Sequence, residues 1–325
     1  MKAVVCKAWG PAESLVMEDR PALEAAPGQV VLSVKAANVK FSDNLIIQNK
    51  YQTKPELPFI PGGEVSGVVK AVGAGVEGWK VGDRVSAQSP SGGYAEEVSV
   101  APENLSAIPD SIDFAGAAGL TSTYGTAYYA LIDRGELKSG ETLLVLGASG
   151  GVGLAAVEIG KALGAKVIAC ASSEEKLAVC REHGADATIN YATEDMRARV
   201  KEITKGKGLD VVYDPVGGDY SELALRDMAW GGRFLVIGFA AGPIPKISLN
   251  LPLIKGCSIV GVWVGAMSKR NPEKRRAMSA EIWKLYAAGK LKPHVWGTYP
   301  LEKAADALNA IAARKVAGKV VLTVA

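Results

Sequence analysis

The pattern of apolar and polar positions along this chain changes near residue 115. Before that point, short apolar runs at residues 30–34, 65–72 and 95–100 alternate with Gly, Pro and Asn. Residues 81–85 have the composition of a turn between two strands. This pattern predicts a β-rich N-terminal region.

From residue 115 onward, apolar segments alternate with helical patterns of roughly 10–15 residues, which is typical of β-α-β units and a parallel sheet. The remaining part is mixed: Asn271, Pro272 and Glu273 start a helix that Gly289 ends. We expect strands at residues 142–146, 166–171, 187–189, 209–213, 234–237 and 319–323, and further helices at residues 153–163, 174–182, 194–204 and 302–314.

Composition narrows the class of protein. A chain of 325 residues predicts two domains, and 48% hydrophobic with 22% charged residues is ordinary for a globular protein. The net charge of +3 is too small to indicate nucleic-acid binding. The densest basic run, residues 274–276 with Lys269 and Arg270 nearby, fits either a solvated helix face or an anion site.

The cysteines and the start of the chain narrow the class of protein further. The four cysteines include no Cys-x-x-Cys pair, so we expect neither a disulfide framework nor a zinc cluster. Cys180 and His183 are expected to be helix residues of the interior rather than metal ligands. The chain starts with a predicted strand rather than a signal peptide, and it has no apolar run of about 18 residues. We expect a cytoplasmic protein with no membrane contact.

A glycine loop gives the first indication of function. A buried strand ends at Leu146, and Gly147, Gly150 and Gly153 follow in a G-x-x-G-x-x-G spacing that opens a helix. In this context, backbone N–H groups and the positive end of the helix approach a pyrophosphate, so a dinucleotide is the expected ligand. The loop is one residue longer than the G-x-G-x-x-G pattern; a glycine-rich turn without a ligand is the alternative.

The end of the second strand indicates which dinucleotide. NAD sites place Asp or Glu there to bind the ribose 2′-hydroxyl. This chain has Ala171, followed by Ser172, Ser173 and Lys176, whose hydroxyls and cation suit a 2′-phosphate. We therefore expect NADPH, although residues 172–175 also fit a helix capping box.

Several motifs together resemble the quinone oxidoreductase branch of the zinc-independent medium-chain dehydrogenases/reductases. The resemblance covers essentially the whole chain. Besides the glycine loop, it rests on residues 61–69 (PGGEVSGVV), 81–85 (VGDRV), 124–131 (YGTAYYAL), 189–191 (INY), 212–218 (VYDPVGG) and 318–322 (GKVVL).

The resemblance implies an α/β protein with two domains. One is a GroES-like β-rich catalytic domain formed by both chain ends, at residues 1–120 and 259–325. The other, at residues 121–258, is an inserted Rossmann domain with a doubly wound parallel sheet that binds NADPH. The resemblance also implies a cofactor in the cleft between the domains, and a homodimer.

The same resemblance implies site residues. Lys40 and Gly63 stand where zinc-dependent relatives have Cys and His ligands, and the four-cysteine zinc loop is missing, so we expect no metal. Tyr191 and Phe239 equally fit core aromatic residues, and Arg314 fits a cation at a helix C-terminus. The implied cofactor residues are Gly147, Ala148, Ser149, Gly150, Gly151 and Val152 in the loop, Ser172, Lys176, Tyr191 and Arg314 near the 2′-phosphate, and Thr126, Val216, Gly238, Phe239 and Trp263 near the nicotinamide.

The implied acceptor pocket contains Lys40, Asp43 and Tyr51. Many quinone oxidoreductases have Asn in place of Lys40, and Lys40 either polarises a substrate carbonyl or pairs with Asp43 and holds the loop. The expected reaction is NADPH-dependent reduction of a small quinone or enone. The alternatives are reduction of an enoyl thioester, with basic residues 269–275 contacting coenzyme A phosphates, and a non-catalytic NADPH-binding or RNA-binding protein.

Overall fold

The computed structural model describes all residues 1–325. Its strands are β1 (Lys2–Val5), β2 (Val16–Asp19), β3 (Val30–Val39), β4 (Glu64–Val72), β5 (Arg84–Gln88), β6 (Glu97–Val100), β7 (Leu105–Ala107), β8 (Thr142–Val145), β9 (Lys166–Ala171), β10 (Ala187–Asn190), β11 (Leu209–Asp214), β12 (Met228–Val236), β13 (Ser258–Gly261), β14 (Val295–Pro300) and β15 (Lys319–Thr323).

The helices complete the secondary structure. The α-helices are α1 (Phe41–Ile47), α2 (Phe114–Ala117), α3 (Leu120–Tyr128), α4 (Gly151–Ala162), α5 (Glu174–Glu182), α6 (Met196–Ile203), α7 (Asp219–Arg226), α8 (Asn250–Lys255), α9 (Val264–Arg270), α10 (Pro272–Ala287) and α11 (Ala304–Ala312). Tyr129–Arg134 is a π-helix, and short 3-10 helices cover Ala12–Ser14, Pro102–Asn104 and Leu301–Lys303. No helix is both long enough and apolar enough to cross a membrane.

The chain divides into two compact units. Unit 1 contains Met1–Ser122 and Pro293–Ala325, and unit 2 contains Thr123–Lys292. Both chain ends contribute to unit 1. The predicted boundary at residue 258 falls inside unit 2, because β13 pairs with β12 and continues the same parallel sheet.

Unit 1 is the β-rich part. Its larger sheet has the strand order β14-β15-β3-β4-β5-β7, with β6 also paired to β3, and β1 and β2 form a separate antiparallel pair. All pairs except β14–β15 are antiparallel. Its core contains Leu32, Val65, Val85 and Leu322 from the strands and Leu308 from α11. This arrangement confirms the GroES-like expectation.

Unit 2 is a doubly wound α/β unit. Its six strands are all parallel, in the order β10-β9-β8-β11-β12-β13. The order runs outward from β8 in both directions, so ligands are expected at the carboxyl ends of the strands near β8 and β11. The predicted strand at residues 234–237 begins earlier, at Met228, which pairs with Leu209. A register shift separates this pair from the pair of Val211 with Arg233.

Candidate cofactor and acceptor sites

The glycine loop between β8 and α4 has a backbone conformation that requires small residues. Gly147 has a φ of 57°, and a Cβ atom on Gly153 would lie 2.4 Å from the Gly147 carbonyl oxygen. The Gly150 N–H donates to that oxygen at 3.0 Å and closes the turn. No side chain caps the N-terminus of α4. Its first N–H groups and its positive dipole end are therefore directed at the space where an anion binds.

Most of the predicted cofactor residues lie at one edge of the parallel sheet. Because the carboxyl ends of parallel strands meet at one edge, loops that follow these strands form one surface. The glycine loop follows β8, Ser172 follows β9, Tyr191 follows β10, Val216 follows β11, Gly238 and Phe239 follow β12, and Trp263 follows β13. Thr126 is on α3 instead, and Arg314 belongs to unit 1.

Ser172 and Lys176 lie together just beyond β9. The Lys176 ammonium is 3.4 Å from Ser172 Oγ. The capping-box interpretation of residues 172–175 is wrong: the N-cap of α5 is Ser173, whose hydroxyl accepts the Lys176 N–H at 3.4 Å. Ser172 is exposed and has no capping role. The hydroxyl of Ser172 and the cation of Lys176 therefore point to the same surface, as a 2′-phosphate site requires.

Asp214, at the end of β11, fixes the next loop and was not predicted from the sequence. Its Oδ1 accepts the N–H groups of Val216 and Gly217, each at 2.8 Å, and its Oδ2 accepts the Ser221 hydroxyl at 2.5 Å. Burial raises the pKa of Asp214, and these hydrogen bonds oppose the shift. The loop brings Val216 against the glycine loop, since a Cβ on Gly147 would lie 2.8 Å from Val216 Cγ2.

The aromatic residues at this edge differ in their surroundings. Tyr191 packs against the core of unit 2, and its ring centroid lies 4.4 Å from that of Tyr220, as the core-aromatic alternative predicted. Phe239 is 36% exposed and packs over Gly217, and Trp263 is 62% exposed. Phe239 and Trp263 thus present apolar surface to the solvent side of this edge.

Arg314 occupies the position that the helix-terminus alternative predicted. It is the second residue after α11, has a φ of 57°, and donates its N–H to the Ile311 carbonyl at 2.9 Å. A cation here interacts favourably with the negative end of the α11 dipole.

In unit 1, Lys40 belongs to a buried network that the sequence did not predict. The Lys40 ammonium lies 2.7 Å from Glu64 Oε1, so the expected alternative of a Lys40–Asp43 side-chain pair is wrong. The same oxygen of Glu64 accepts the Ser122 hydroxyl at 2.5 Å, and Glu64 Oε2 accepts the Asn38 amide at 2.8 Å. The side chain of Glu64 is 3% exposed, and that of Lys40 is 33% exposed.

The charges of this pair stabilise each other. Burial alone would lower the pKa of Lys40, but the carboxylate of Glu64, with a contribution from Asp43, raises it well above its usual value. Burial would likewise raise the pKa of Glu64, but Lys40 and the hydrogen bonds from Ser122 and Asn38 lower it. Lys40 is therefore held as a cation, on a side chain that is partly exposed.

Asp43 is held in the interior, on the first turn of α1. It is 2% exposed and accepts the Lys40 N–H and the Tyr94 hydroxyl, each at 2.9 Å. Burial raises the pKa of Asp43, and Lys40 opposes that shift. Asp43 thus caps α1 and fixes the Lys40 backbone, and it does not line an open pocket. Tyr51 is half-buried and lies close enough to Lys40 to contribute to its raised pKa.

A second lysine lies near the same carboxylate. Lys319, on β15, is 5% exposed and donates to the carbonyl oxygens of Gly116 and Ala115 at 2.9 and 3.3 Å. Burial lowers the pKa of Lys319 to about 8, although Glu64 opposes the shift. Lys319, the lysine of the 318–322 motif, therefore joins β15 to α2 in the interior of unit 1.

The residues at the zinc-ligand positions are not suited to bind zinc. Gly63 has no ligand, and a Cβ atom there would lie 2.6 Å from the Ser89 carbonyl oxygen. No group of three or more His, Cys, Asp or Glu residues has the arrangement of a metal site. His183 Nδ1 contacts Glu158 Oε1 at 2.5 Å, so its partner is a carboxylate on α4.

The basic segment at residues 269–276 is largely a solvated surface. Lys269, Arg270 and Arg276 are exposed. Lys274 forms an ion pair with Asp133 at 2.5 Å, and its ammonium lies 5.7 Å from the Tyr129 ring centroid. The helix-face interpretation therefore describes this segment better than a preformed anion site.

Comparison with known proteins agrees with both units. The family model described as an alcohol dehydrogenase GroES-like domain matches residues 26–132, and the zinc-binding dehydrogenase model matches residues 151–283. A quinone oxidoreductase-like protein 2 homolog from Nematostella vectensis is 42% identical, over 99% of this chain and 88% of that protein. The chain belongs to the quinone oxidoreductase-like medium-chain dehydrogenases/reductases.

Solved structures of this dehydrogenase/reductase family share the whole fold. The Escherichia coli quinone oxidoreductase in complex with NADPH is 31% identical to this chain, with a TM-score of 0.93. The match covers 99% of this chain and 100% of that one. The CurK enoyl reductase is 26% identical, with a TM-score of 0.90 and coverage of 100% and 99%. The relatives of this chain are named as quinone oxidoreductases, which are enzymes, so the prediction of an oxidoreductase is confirmed.

Proposed function

We propose that this chain is an NADPH-dependent reductase that transfers hydride to a quinone or a similar conjugated carbonyl compound without zinc. The observation that carries the proposal is the Lys40 ammonium, which the buried Glu64 carboxylate holds at 2.7 Å on a side chain that is 33% exposed. A fixed cation of this kind stabilises negative charge as it develops on a carbonyl oxygen.

The cofactor site in unit 2 fits NADPH. The uncapped N-terminus of α4 suits a pyrophosphate, and Ala171 leaves the end of β9 without the carboxylate that would repel a 2′-phosphate. Ser172 and Lys176 provide a hydroxyl and a cation beside it. NADPH, when bound, supplies a hydride from its nicotinamide ring.

In unit 1, the proposed role of Lys40 is electrostatic. When a hydride adds to the acceptor carbon, a C–H bond forms and the electron pair of the π bond moves to the carbonyl oxygen. The Lys40 ammonium donates a hydrogen bond to that oxygen, which favours the transition state over the uncharged ground state. Tyr51 is proposed as a second donor, and a solvent proton completes the reduction. Asp43 acts through Lys40, by accepting its backbone N–H and by favouring its charged form.

Independence from zinc follows from the donor set. An ammonium and a glycine occupy the positions of the zinc ligands, and a protonated lysine does not bind a metal. Full turnover should therefore survive prolonged chelation. One tightly bound zinc per chain that is required for turnover would contradict this part of the proposal.

The test of the function is an acceptor panel. Purified protein is mixed with NADPH and, separately, naphthoquinones, alkenals, enones and enoyl-coenzyme A esters, and NADPH oxidation is followed by absorbance. The proposal expects the highest kcat/KM for a quinone or enone, and a lower kcat/KM with NADH. Binding of NADPH without oxidation by any acceptor would leave only the non-catalytic alternative.

Enoyl thioesters are the second candidate, because the chain is similar to the CurK enoyl reductase. The exposed residues Lys269 and Arg270 would then contact the coenzyme A phosphates. Replacing both by Ala should raise KM for an enoyl-coenzyme A and leave KM for the matching enone unchanged. Equal effects on both acceptors would contradict the thioester proposal.

Dimerisation and a cytoplasmic location belong to the same proposal. β13 is an edge strand, and its unit exposes large apolar side chains that would suit contact with a second copy of the chain. These exposed side chains include Trp230, Ile244, Leu249, Leu253, Ile254 and Ile259. Light scattering should give twice the chain mass, and Ile259→Lys should shift the distribution to monomer. The four free cysteines, three of them buried, are consistent with a reducing compartment.

A further inference from the structure

We propose that Glu64 is a positioning residue that keeps Lys40 a permanent cation, so that Lys40 serves the acceptor as a fixed hydrogen-bond donor and the product proton comes from elsewhere. This inference rests on the proposed function and extends it to a residue that does not itself touch the acceptor. It follows from the way in which unit 1 holds the Glu64 carboxylate.

The Glu64 carboxylate is fully engaged in the interior. It accepts three hydrogen bonds, from Lys40 at 2.7 Å, Ser122 at 2.5 Å and Asn38 at 2.8 Å. Gly119 is necessary for this arrangement, because a Cβ atom there would lie 2.5 Å from Glu64 Oε2 and 2.4 Å from Asn38 Nδ2. A carboxylate with three donors stays ionised and has one orientation.

Two acids from different elements hold Lys40, one at its ammonium and one at its backbone N–H. Glu64 comes from β4, and Asp43, on α1, holds the Lys40 backbone N–H. The other titratable groups facing this cluster are Tyr51 beside Lys40, Tyr94 on Asp43, and Lys319 near Glu64. The groups that act on the Lys40 ammonium are two acids and one phenol, and all three favour its charged form.

This arrangement separates two roles that one lysine is able to play. A general acid needs a pKa near the working pH, so that it exchanges its proton during each turnover. The contact with Glu64 holds the pKa of Lys40 far above that range. Lys40 therefore stabilises the oxyanion without losing its proton, and its contribution should not depend on pH between about 6 and 9.5.

The test is the pH profile of single-turnover hydride transfer in Glu64→Gln. The amide keeps the shape of Glu64 but removes its charge, so burial then lowers the pKa of Lys40, and Asp43 and Tyr51 alone oppose the shift. The rate should fall as pH rises through the new pKa, roughly tenfold for each further pH unit. The unmodified protein should show no such fall.

Two variants separate charge from structure. Ser122→Ala removes another hydrogen bond to the same carboxylate without changing its charge, so its profile should stay flat. Lys40→Arg in the Glu64→Gln background should remove the basic fall, because a guanidinium stays protonated throughout the range. A flat profile in Glu64→Gln, or a basic fall that the arginine does not remove, would overturn the proposal.

A second measurement does not depend on turnover. Acetic anhydride reacts with neutral amines, and mass spectrometry then gives the labelling of Lys40 relative to the exposed Lys54 at each pH. In Glu64→Gln, labelling of Lys40 should begin at a pH lower by about one unit or more than in the unmodified protein. An unchanged labelling curve would overturn the proposal. A protein that reduces no acceptor but shows this shift would contradict the proposed function alone.

Discussion

The two candidate sites differ in the groups that form them: backbone groups in unit 2 and charged side chains in unit 1. The glycine loop of unit 2 uses backbone N–H groups, a helix dipole and the absence of side chains, and it contains no buried charge. The Lys40 site of unit 1 uses full charges, two acids and two lysines, held by hydrogen bonds, and all of these groups except Lys40 are buried. The backbone site suits the pyrophosphate of the cofactor, whereas the charged site suits the negative charge that develops on the acceptor oxygen during hydride transfer.

The two designs fail in different ways. Backbone cradles are sensitive to added volume, because a single methyl group collides with backbone atoms that have no freedom to move. Charged networks are sensitive to lost partners, because removing one member leaves another buried group unsatisfied. Substitutions should therefore separate cofactor binding from acceptor reduction.

The largest effect is expected for Lys40→Met, which removes the ammonium and keeps a side chain of similar length. Loss of a preorganised donor at a developing oxyanion costs about 10²–10³ in turnover. Stopped-flow hydride transfer should slow by that factor, while the Kd for NADPH, measured by fluorescence titration, stays unchanged. Lys54→Met, at an exposed position in the same region, is the matched control. An unchanged rate in Lys40→Met would remove the proposed electrostatic role.

A smaller effect is expected for Lys176→Met at the other site. A hydrogen bond to a charged group contributes about 1.5–3 kcal/mol, which corresponds to roughly ten- to a hundredfold in Kd. The Kd for NADPH should rise by that factor and the Kd for NADH should not change, because NADH has no 2′-phosphate. Lys166→Met, exposed at the opposite end of β9, is the control. Equal weakening of both cofactors would place Lys176 elsewhere in the site.

Stability provides a third contrast, within the glycine loop itself. Gly153→Ala places a methyl group 2.4 Å from a carbonyl oxygen, whereas the nearest atom to the same group in Gly150→Ala is 3.4 Å away. Overpacking costs about 1–3 kcal/mol. Gly is preferred over Ala at an N-cap, so Gly150→Ala should cost about 0.5–1 kcal/mol. Urea unfolding should show this difference. Equal losses would mean that the loop relaxes around Gly153.

The sequence predicted the first site much better than the second. The glycine loop, Ser172 and Lys176 lie within 30 residues, so their spacing alone predicts a strand–loop–helix unit and favours a dinucleotide as its ligand. The helix start at Asn271 was predicted correctly for the same local reason, since its side chain accepts the Lys274 N–H. Local hydrogen bonds leave a local signal.

The Lys40 network leaves no such signal. Its members come from β3, α1, β4 and the first residues of α3, and β3 pairs with β4 in the same sheet. Lys40 and Asp43 are close in sequence, which suggested the wrong pair, while Glu64 is 24 residues away. A buried Glu in a strand of apolar residues was the one available clue, because an ionised carboxylate in the interior requires a partner.

The smallest effect on the rate is expected for Tyr51→Phe. This variant also tests whether Tyr51 contacts the acceptor or only supports the structure of the site. Tyr51 is half-buried, and a neutral hydroxyl donor contributes about 0.5–1.5 kcal/mol, or roughly two- to tenfold in rate. Single-turnover hydride transfer should slow by that factor without a change in the unfolding free energy.

Tyr94→Phe is the matched substitution, because the Tyr94 hydroxyl donates to the buried Asp43 rather than facing the acceptor. Leaving a buried acceptor with one donor fewer costs about 1–3 kcal/mol, so this variant should lose stability in urea unfolding. Its rate should change less than that of Tyr51→Phe, because Asp43 still accepts the Lys40 N–H. If Tyr51→Phe lost stability and kept its rate, Tyr51 would belong with Tyr94 to the support of the site, and Lys40 would be the one donor that unit 1 offers to the acceptor oxygen.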